Sequence, residues 1–452
     1  MTRIFIASIL MMLFQLSNAQ EESSILIKNG TVITITDGIK EGTDVYIENG
    51  KIKKLGKDLK AKKGVKEYDA TGKYVMPGIV DAHSHIALET VNEATNPVTA
   101  EVFVGDGIDP QDVAIYRALA GGVTVSHAMH GSANAIGGEC ETIKHRYGEW
   151  DPDKLRMEGA PRTIKFALGE NPMRVHGEGR RITPRTRMGV EQVFREAFAK
   201  AKIYQKEWDD YKSGKQKNPP TYSKRMETLS AILNGEIIIH CHSYRADEIL
   251  MLMNVLGDYG VNKICFQHVN EGFKVAPELA EFGAMASVFS DWWAYKFEVN
   301  DAIPYNASIM HNVGVTTAIN SDDGEMSRRL NQEAAKTVKY GGVSEEEAWK
   351  MVTLNPAKLL HIDDRVGSIK VGKDADVVLW SDHPLSVYAK AEKTMIEGAT
   401  YFDIEKDMQL RTKIKQERNE LMAMMMQEKN KGMKTQPIKV EDKQQFHCDT
   451  MD

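Results

Sequence analysis

Cysteine is scarce in this sequence, with four residues among 452: Cys140, Cys241, Cys265 and Cys448. Their spacing does not match the paired pattern of a zinc ribbon, which excludes a structural zinc site built from thiolates. Two of them, Cys241 and Cys265, fall in predicted central strands, where buried and reduced thiols are expected. The spacing leaves open whether any of the four form a disulfide.

The sequence also lacks a surplus of charge of either sign. Its 58 basic and 64 acidic residues are interspersed and give a formal net charge of −6, so a polyanion such as nucleic acid is not an expected partner. Glycine and proline are not enriched, and the 42% hydrophobic content is that of a globular protein. The length suits a barrel of about 250 residues with a second, smaller domain.

The apolar run near the start, Ile4 to Leu16, is too short to span a bilayer. It follows Thr2-Arg3 and precedes the small residues Ser17-Asn18-Ala19, a pattern typical of a secretory signal peptide. We therefore predict a signal peptide over residues 1–19 and an exported protein, periplasmic or secreted, with no stable membrane insertion after cleavage. A membrane anchor or a buried first helix is the alternative.

The remaining chain divides by its pattern of apolar residues. Segments 20–76 and 356–410 contain short strand-like runs between turn residues and are predicted to form one small β-sandwich from both chain ends. In 77–355, apolar runs alternate with helical stretches, which predicts parallel βα units that close into a barrel. The tail 411–452 is predicted to be helical and in part mobile, with Met422 to Met426 packed against the body of the protein or, alternatively, against a partner helix.

A histidine pair follows the first predicted barrel strand. In Pro77-Gly78-Ile79-Val80-Asp81-Ala82-His83-Ser84-His85, the two histidines are two residues apart. Side chains at that spacing point to the same side of a strand, so His83 and His85 can hold one cation. Such a pair recurs by chance, and its position after a buried strand is what favours a metal site.

Other candidate ligands follow from the alternation of barrel strands, which turn one face inward and one toward the helices. Ile164 and Phe166 share one face and leave Lys165 on the inner one. His240 and His242 lie opposite the apolar residues of their own strand, and either could be a ligand.

His268 and Asp322 each follow an apolar run, where a strand gives way to a loop. Active sites of such barrels lie at the carboxyl ends of the strands. Taken singly, His268 could be a core histidine and Asp322 a helix N-cap. The glycine-rich stretch Gly131 to Glu139 is predicted to be a loop that either offers backbone N–H groups to the site or only shapes the barrel mouth. It is not a P-loop, because no Gly-Lys-Ser/Thr follows.

These residues, in this order, resemble the amidohydrolase superfamily, and within it the exported enzymes related to imidazolonepropionase and to metal-dependent Xaa-Pro and Xaa-Arg dipeptidases. The resemblance extends to residue 405 or so and implies an α/β fold, a distorted (β/α)8 TIM barrel with a small β-sandwich formed by both chain ends. The ligands that it implies, from strands one, five, six and eight, are His83, His85, His240, His268 and Asp322. His240 is preferred over His242 because the latter position varies among relatives.

Lys165 matches the strand-four lysine that the binuclear, dipeptidase-like members carry as a metal-bridging carbamate. Imidazolonepropionase proper is mononuclear and lacks this group. The resemblance therefore implies one or two divalent metal ions, with zinc expected, and a carbamylated Lys165 favours two. The alternative is an ion pair between Lys165 and a carboxylate such as Glu170.

The resemblance implies a hydrolase that cleaves a C–N bond, amide or peptide-like, in a small molecule or dipeptide, through a metal-activated water with Asp322 as general base and acid. Tyr244, Arg180 and His242 are predicted to contact the substrate. The alternatives are a mononuclear ring-opening hydrolase like imidazolonepropionase and a catalytically silent scaffold with the same fold. A homo-oligomer is an expectation from the family.

Overall fold

Two eight-stranded β-sheets organise the described part of the chain. The computed structural model describes residues 24–434 and residue 436, so the predicted signal peptide 1–19, Cys448 and the end of the predicted tail lie outside the described residues. The strands are β1 Ser24–Ile33, β2 Ile39–Glu48, β3 Lys51–Gly56, β4 Lys66–Asp69, β5 Tyr74–Pro77, β6 Ile79–Ser84, β7 Val123–Ala128, β8 Ile136–Lys144, β9 Thr163–Ala167, β10 Ile238–Ser243, β11 Ile264–His268, β12 Met285–Val288, β13 Thr317–Ile319, β14 Val377–Trp380, β15 Ala391–Ile396 and β16 Ala399–Asp403.

The first sheet takes its strands from both ends of the described chain. Its order is β16-β15-β14-β5-β1-β2-β3, with β4 paired to β1. The two ends meet where β5 pairs antiparallel with β14, which sets Tyr74 opposite Trp380. Apolar side chains from both ends, among them Ile25, Val45 and Val377, form a separate core cluster on this sheet.

The second sheet follows chain order from β6 to β13 and forms the barrel wall. Strands β9 to β13 are parallel to one another, as is β6 to β7. β8 is antiparallel to both β7 and β9, which distorts the barrel. The predicted fold class, an α/β barrel with a small β-domain from both chain ends, is confirmed.

Part of the glycine-rich stretch predicted as a loop belongs to this antiparallel strand. Ile136 begins β8, and the backbone N–H groups of Ile136 and Glu139 donate to the carbonyls of Pro97 and Val102. Those two N–H groups are therefore used within the protein. The prediction of a loop was wrong at these positions, because glycines do not reveal that flanking backbone supplies partners for a strand.

A buried carboxylate closes the barrel between its first and last strands. Asp81 accepts hydrogen bonds from the backbone N–H of Ser321 at 3.2 Å and from its hydroxyl at 2.5 Å. One residue further on, the N–H of Asp322 donates to the carbonyl of His83 at 3.0 Å. These bonds fix the ends of β6 and β13 beside each other, where the predicted ligands lie.

Helices cover the outside of the barrel and bury its wall. Phe166 of β9 stacks on Phe194 with ring centroids 5.4 Å apart and an interplanar angle of 9°. Several helices begin at a side-chain cap, such as Ser223 accepting from the Met226 N–H. The α-helices are Val113–Leu119, Glu170–Met173, Arg187–Lys212, Lys224–Leu233, Ala246–Tyr259, Ala276–Phe282, Asn306–Val313, Leu330–Gly341, Glu345–Lys350, Leu354–Leu359 and Ile404–Asn430.

A buried charge cluster joins the barrel to the first sheet. Lys144, at the end of β8, is fully buried, and its Nζ lies 2.7 Å from Asp374, 3.0 Å from Glu397 and 3.2 Å from Asp376. Burial alone would lower the pKa of Lys144, but the three carboxylates outweigh it and raise that pKa. Arg146 also pairs with Glu397, at 2.8 Å. Lys144 is thus held as a cation at the junction.

The C-terminal helix Ile404–Asn430 projects from the body, and Asp407 is the buried residue among its 27. Its apolar side chains are largely in solvent, with Leu421 exposed at 65% and Met424 at 61%. The prediction that Met422 to Met426 pack against the body of the protein was wrong, because these methionines are exposed. Across residues 24–434 and 436, none of the helices combines the length and hydropathy needed to cross a bilayer.

Candidate metal centre

Three side chains converge at the carboxyl ends of β6 and β13. His83 Nε2 and His85 Nε2 lie 3.4 Å and 3.2 Å from Asp322 Oδ1. The potential ligand atoms of the three residues lie within 4.8 Å of one another, and all three residues are buried. Two imidazoles and a carboxylate form a donor set that suits zinc and other divalent transition metals.

Lys165 extends this cluster toward the fourth and fifth barrel strands. It is fully buried in β9, and its Nζ lies 3.2 Å from His83 Nε2. The register pairs Lys165 with His240 on β10. Ile164 and Phe166 belong to the large core between barrel and helices. Strand alternation therefore predicted the inward face of Lys165 correctly.

His268 reaches the centre through its backbone conformation. Its neighbour Phe266 points to the outer core, and simple alternation would send His268 the same way. A left-handed φ of 69° at His268 breaks the alternation, and Asp322 has a φ of 50°. His268 Nε2 lies 3.8 Å from Asp322 Oδ2. Such conformations are uncommon for residues other than glycine, and they concentrate at functional sites.

Gln267 links two of the predicted ligands and was not predicted from the sequence. Its Oε1 accepts a hydrogen bond from His83 Nδ1 at 3.0 Å, and its Nε2 donates to His240 Nδ1 at 2.8 Å. Gln267 is fully buried on the inner face of β11. The signal available in the sequence was a polar side chain on the inner face of a strand otherwise made of apolar residues.

The histidines of the centre are held neutral. Burial lowers the pKa of His83, His85 and His240, and the charge of Lys165 lowers each pKa further. Neutral imidazole is the form that binds a metal. The rings are therefore in the uncharged form that a metal requires near neutral pH.

Asp322 is held ionised. Burial alone would raise its pKa, but His268, His85 and Lys165 outweigh burial and hold the pKa of Asp322 at about 2. Its two oxygens face different rings, Oδ1 toward His85 and Oδ2 toward His268. The carboxylate can therefore bind a cation and accept a proton at neutral pH.

The residues present fit a divalent metal. Among the described residues, the Nε2 atom of His240 is buried without a hydrogen-bond partner. Leaving a buried polar atom unpaired costs roughly 1–3 kcal/mol, which coordination would offset. His83, His85 and Asp322 would hold one ion, and His240, opposite Lys165, lies where a second ligand set would begin.

The structure separates the three predicted substrate contacts. His242 and Tyr244 pack against each other with ring centroids 4.5 Å apart, and His242 lies 4.8 Å from the ring of His268. Arg180 is exposed on the turn after the fourth strand, where its charge is a cause, after burial, of the lowered pKa of His176. His242 and Tyr244 thus border the centre, while Arg180 lies on a surface turn.

Sequence and structure comparisons agree with this architecture. A crystal structure of an amidohydrolase from Thermotoga maritima shares 37% sequence identity, covers 84% of this chain and 100% of that one, and superposes with a TM-score of 0.77. The amidohydrolase tasK of Hapsidospora irregularis is 32% identical over 393 residues, 80% of this chain. The match spans only 40% of that longer protein.

Two further matches point the same way. An imidazolonepropionase from Thermoplasma volcanium is 24% identical over 359 residues, covering 75% of this chain and 84% of that protein. The family model described as "Amidohydrolase family" matches residues 301–415. With a barrel of this topology, a buried histidine and aspartate cluster at its mouth and a full-length relative at 37% identity, the chain belongs to the amidohydrolase superfamily of hydrolases.

Proposed function

We propose that the protein is a metal-dependent hydrolase that cleaves a C–N bond, amide or peptide-like, in a small substrate. The observation that carries the proposal is the convergence of His83, His85 and Asp322 within 4.8 Å at the carboxyl ends of the strands. His240 and His268 complete the proposed ligand set, with Lys165 between the two halves. Zinc is the metal we propose, and the sequence pattern of residues 1–19 supports export.

The position of Lys165 supports a carbamate and two metals. Its amine lies 3.2 Å from His83 Nε2, the same atom that would bind the metal. A metal ion held by that nitrogen would be repelled by a cationic amine at the same atom. When the neutral amine adds CO2, an N–C bond forms and one proton is released to solvent. The product is an anionic carbamate, which removes the repulsion and can itself be a ligand. Glu170, the alternative partner, pairs with Lys296 at 3.6 Å.

The proposed chemistry assigns proton transfer to Asp322. A bound divalent metal supplies Lewis acidity and activates water for attack near neutral pH. Asp322, ionised and buried, accepts the proton released by the attacking water on a carboxylate oxygen and delivers it to the leaving nitrogen. His83 and His85 hold the carboxylate in place, and the buried centre limits the solvent that could compete for the proton.

A mononuclear ring-opening hydrolase is the second candidate. The imidazolonepropionase relative that aligns over 84% of its own length favours it. This function would need one metal and no modified lysine. A silent scaffold is disfavoured because His83, His85 and Asp322 lie together in one buried centre, with His268 Nε2 3.8 Å from Asp322.

Metal content measured by elemental mass spectrometry tests the proposal, together with hydrolysis of a dipeptide library. We expect about two metals per chain in the purified protein, falling in a Lys165→Ala variant along with hydrolysis. When metal-free protein is reloaded with zinc, binding of the second ion should require bicarbonate, because the carbamate draws on CO2.

A His383→Ala variant is the matched control, since His383 contacts Glu345 outside the barrel mouth and should keep full metal content. A content of one metal per chain that does not change in the Lys165→Ala variant would instead support the ring-opening candidate. A protein with neither metal nor turnover would be a scaffold.

A further inference from the structure

The segment that follows β12 carries an aromatic surface at the mouth of the barrel. Six of the 17 residues from Phe289 to Tyr305 are aromatic, whereas aromatic residues make up 8% of the whole chain. Several are in solvent, with Trp293 exposed at 50% and Tyr295 at 47%. Such a concentration of exposed rings beside a site indicates a binding surface.

The rings form a continuous row that begins on a proposed metal ligand. Phe289 stacks on His268 with centroids 4.5 Å apart and an interplanar angle of 19°. Trp292 stacks on Phe289 at 4.3 Å and 12°. Tyr295 follows at 6.2 Å, edge-on to Trp292. The row therefore leads from the reacting centre to the solvent-exposed part of the segment.

A cation lies beside the same row. Lys296 Nζ is 4.2 Å from the centroid of the Tyr244 ring, and the side chain is 12% exposed. The hydroxyl of Tyr244 is 3.0 Å from that of Tyr295, and its ring borders His242. Lys296 is thus a largely buried positive charge one ring away from the centre, where Glu170 is its ion-pair partner at 3.6 Å and a substrate anion would be a second one.

The segment is anchored at two places, which presets the surface. At its start, Lys336 pairs with Asp291 at 2.8 Å, and Asn270 donates to the carbonyl of Trp292 at 3.0 Å. Beyond the aromatic row, the carboxylate of Glu298 is buried, pairs with Arg187 and accepts the Glu170 N–H. A preset surface loses less conformational entropy on binding than a loop that must order.

We propose that this segment is the specificity surface of the site and that it binds substrates with a planar aromatic group and an anionic group near the scissile C–N bond. The aromatic group packs on the row from Trp292 to Tyr295, and the anionic group pairs with Lys296. Amides of the N-aroyl amino acid type combine these features. The inference rests on the proposed hydrolase function for its substrate class, and it names which small substrates that site selects.

Equilibrium binding of probes that contain no C–N bond tests this surface separately from catalysis. The probes are 4-phenylbutyrate, butyrate, which lacks the ring, and 4-phenylbutanol, which lacks the charge. By titration calorimetry on the metal-loaded protein, 4-phenylbutyrate should bind at least about 10-fold more tightly than either of the others. Trp292→Ala should remove the advantage over butyrate. Lys296→Met should weaken 4-phenylbutyrate about 10-fold and leave 4-phenylbutanol unchanged, with partial recovery in Lys296→Arg.

Trp150→Ala is the matched control, because Trp150 is exposed at 77% and follows Lys144 at the opposite end of the strands. It should leave all three affinities unchanged. Equal affinities for 4-phenylbutyrate and butyrate, or a preference that persists in Trp292→Ala, would overturn the inference. A hydrolase without the ring preference contradicts this inference alone. A protein that shows the preference but hydrolyses nothing contradicts the proposed function alone.

Discussion

Lys144 and Lys165 are both fully buried and lie on neighbouring barrel strands, yet their surroundings differ. Lys144 has three carboxylates within 3.2 Å and closes the junction between the two sheets. Lys165 lies 3.2 Å from an imidazole nitrogen in the candidate metal centre. Burial is equal at the two sites, so the partner decides what each amine does.

A buried lysine therefore stabilises the fold at position 144 and belongs to the proposed chemistry at position 165. A buried ammonium among carboxylates is compensated and inert. Lys165 lies instead among the proposed metal ligands, where its charge interacts with the carboxylate of Asp322. The positive charge of Lys165 acts on the whole centre, because it is a cause of the lowered pKa of His83, His85, His127, His130, His240 and His242.

Lys144→Met should produce the largest effect. It leaves Asp374, Asp376 and Glu397 without their shared cation, and we expect the free energy of unfolding to fall by about 3–5 kcal/mol. Urea denaturation at pH 7 measures this loss. Lys165→Met, in metal-free protein, is the matched comparison and should cost less than Lys144→Met, because the charge of Lys165 interacts with Asp322 whereas Lys144 is held by three carboxylates. If Lys165→Met lowered the free energy of unfolding more than Lys144→Met, the assignment of a structural role to Lys144 would be wrong.

Asp322→Asn tests the chemistry of the candidate metal centre, to which Lys165 belongs. The amide keeps the shape of the side chain but cannot accept the proton, so we expect kcat to fall by about 10²–10³-fold. Metal content should fall less than turnover. Steady-state kinetics on a substrate from the dipeptide library, with metal analysis of the same sample, measure both. A variant with full metal and near-normal kcat would exclude Asp322 as the general base.

Glu248→Gln tests a third buried cluster and should give the smallest effect. Glu248 and Glu298 share Arg187, and burial, together with Glu298, raises the pKa of Glu248 from 4.5 to about 7. A carboxyl pKa raised in the folded state contributes stability that is present below pH 4.5 and is lost as pH rises through 7. The variant should therefore gain stability relative to the parent by about 1 kcal/mol more at pH 8 than at pH 5.

Thermal unfolding at the two pH values checks this difference. Glu397→Gln in the Lys144 cluster is the control with the opposite sign. Burial alone would raise the pKa of Glu397, but Lys144 and Arg146 outweigh it and lower that pKa. Its neutralisation should therefore cost more stability at pH 6 than at pH 4, because the contribution of Glu397 is lost as pH falls below 4.5. The same sign of change in both variants would contradict the assignment of the two clusters.

The sequence predicted those features that depend on local alternation. The inward face of Lys165 and of His240 follows from the apolar residues on either side of them in a strand. The His83 and His85 pair was found from its spacing and from the strand before it. Each prediction needed only the two-residue period of a strand and the knowledge that barrels bind at their carboxyl ends.

The features that were missed depend on residues far apart in the chain. Lys144 meets Asp374, 230 positions away, and nothing near either residue in the sequence indicates this pairing. The antiparallel β8 follows glycines that suggest a loop, because its partners are set by the neighbouring strands. The apolar residues of the C-terminal helix suggested packing against the body, yet helical periodicity does not tell whether a surface lies within reach.

Gln267 imposes an asymmetry on the two histidines that it bridges. Its amide has one accepting and one donating end, so the two rings that it contacts must hold opposite tautomers. His83, which donates from Nδ1, carries its lone pair on Nε2 toward Asp322. His240, which accepts at Nδ1, carries its proton on Nε2 when neutral. If the amide is rotated by 180°, His83 and His240 exchange tautomers, but the two rings still differ from each other. With the amide in the orientation described, His83 presents a lone pair on Nε2 to a cation, whereas His240 must lose its Nε2 proton before that atom can bind one.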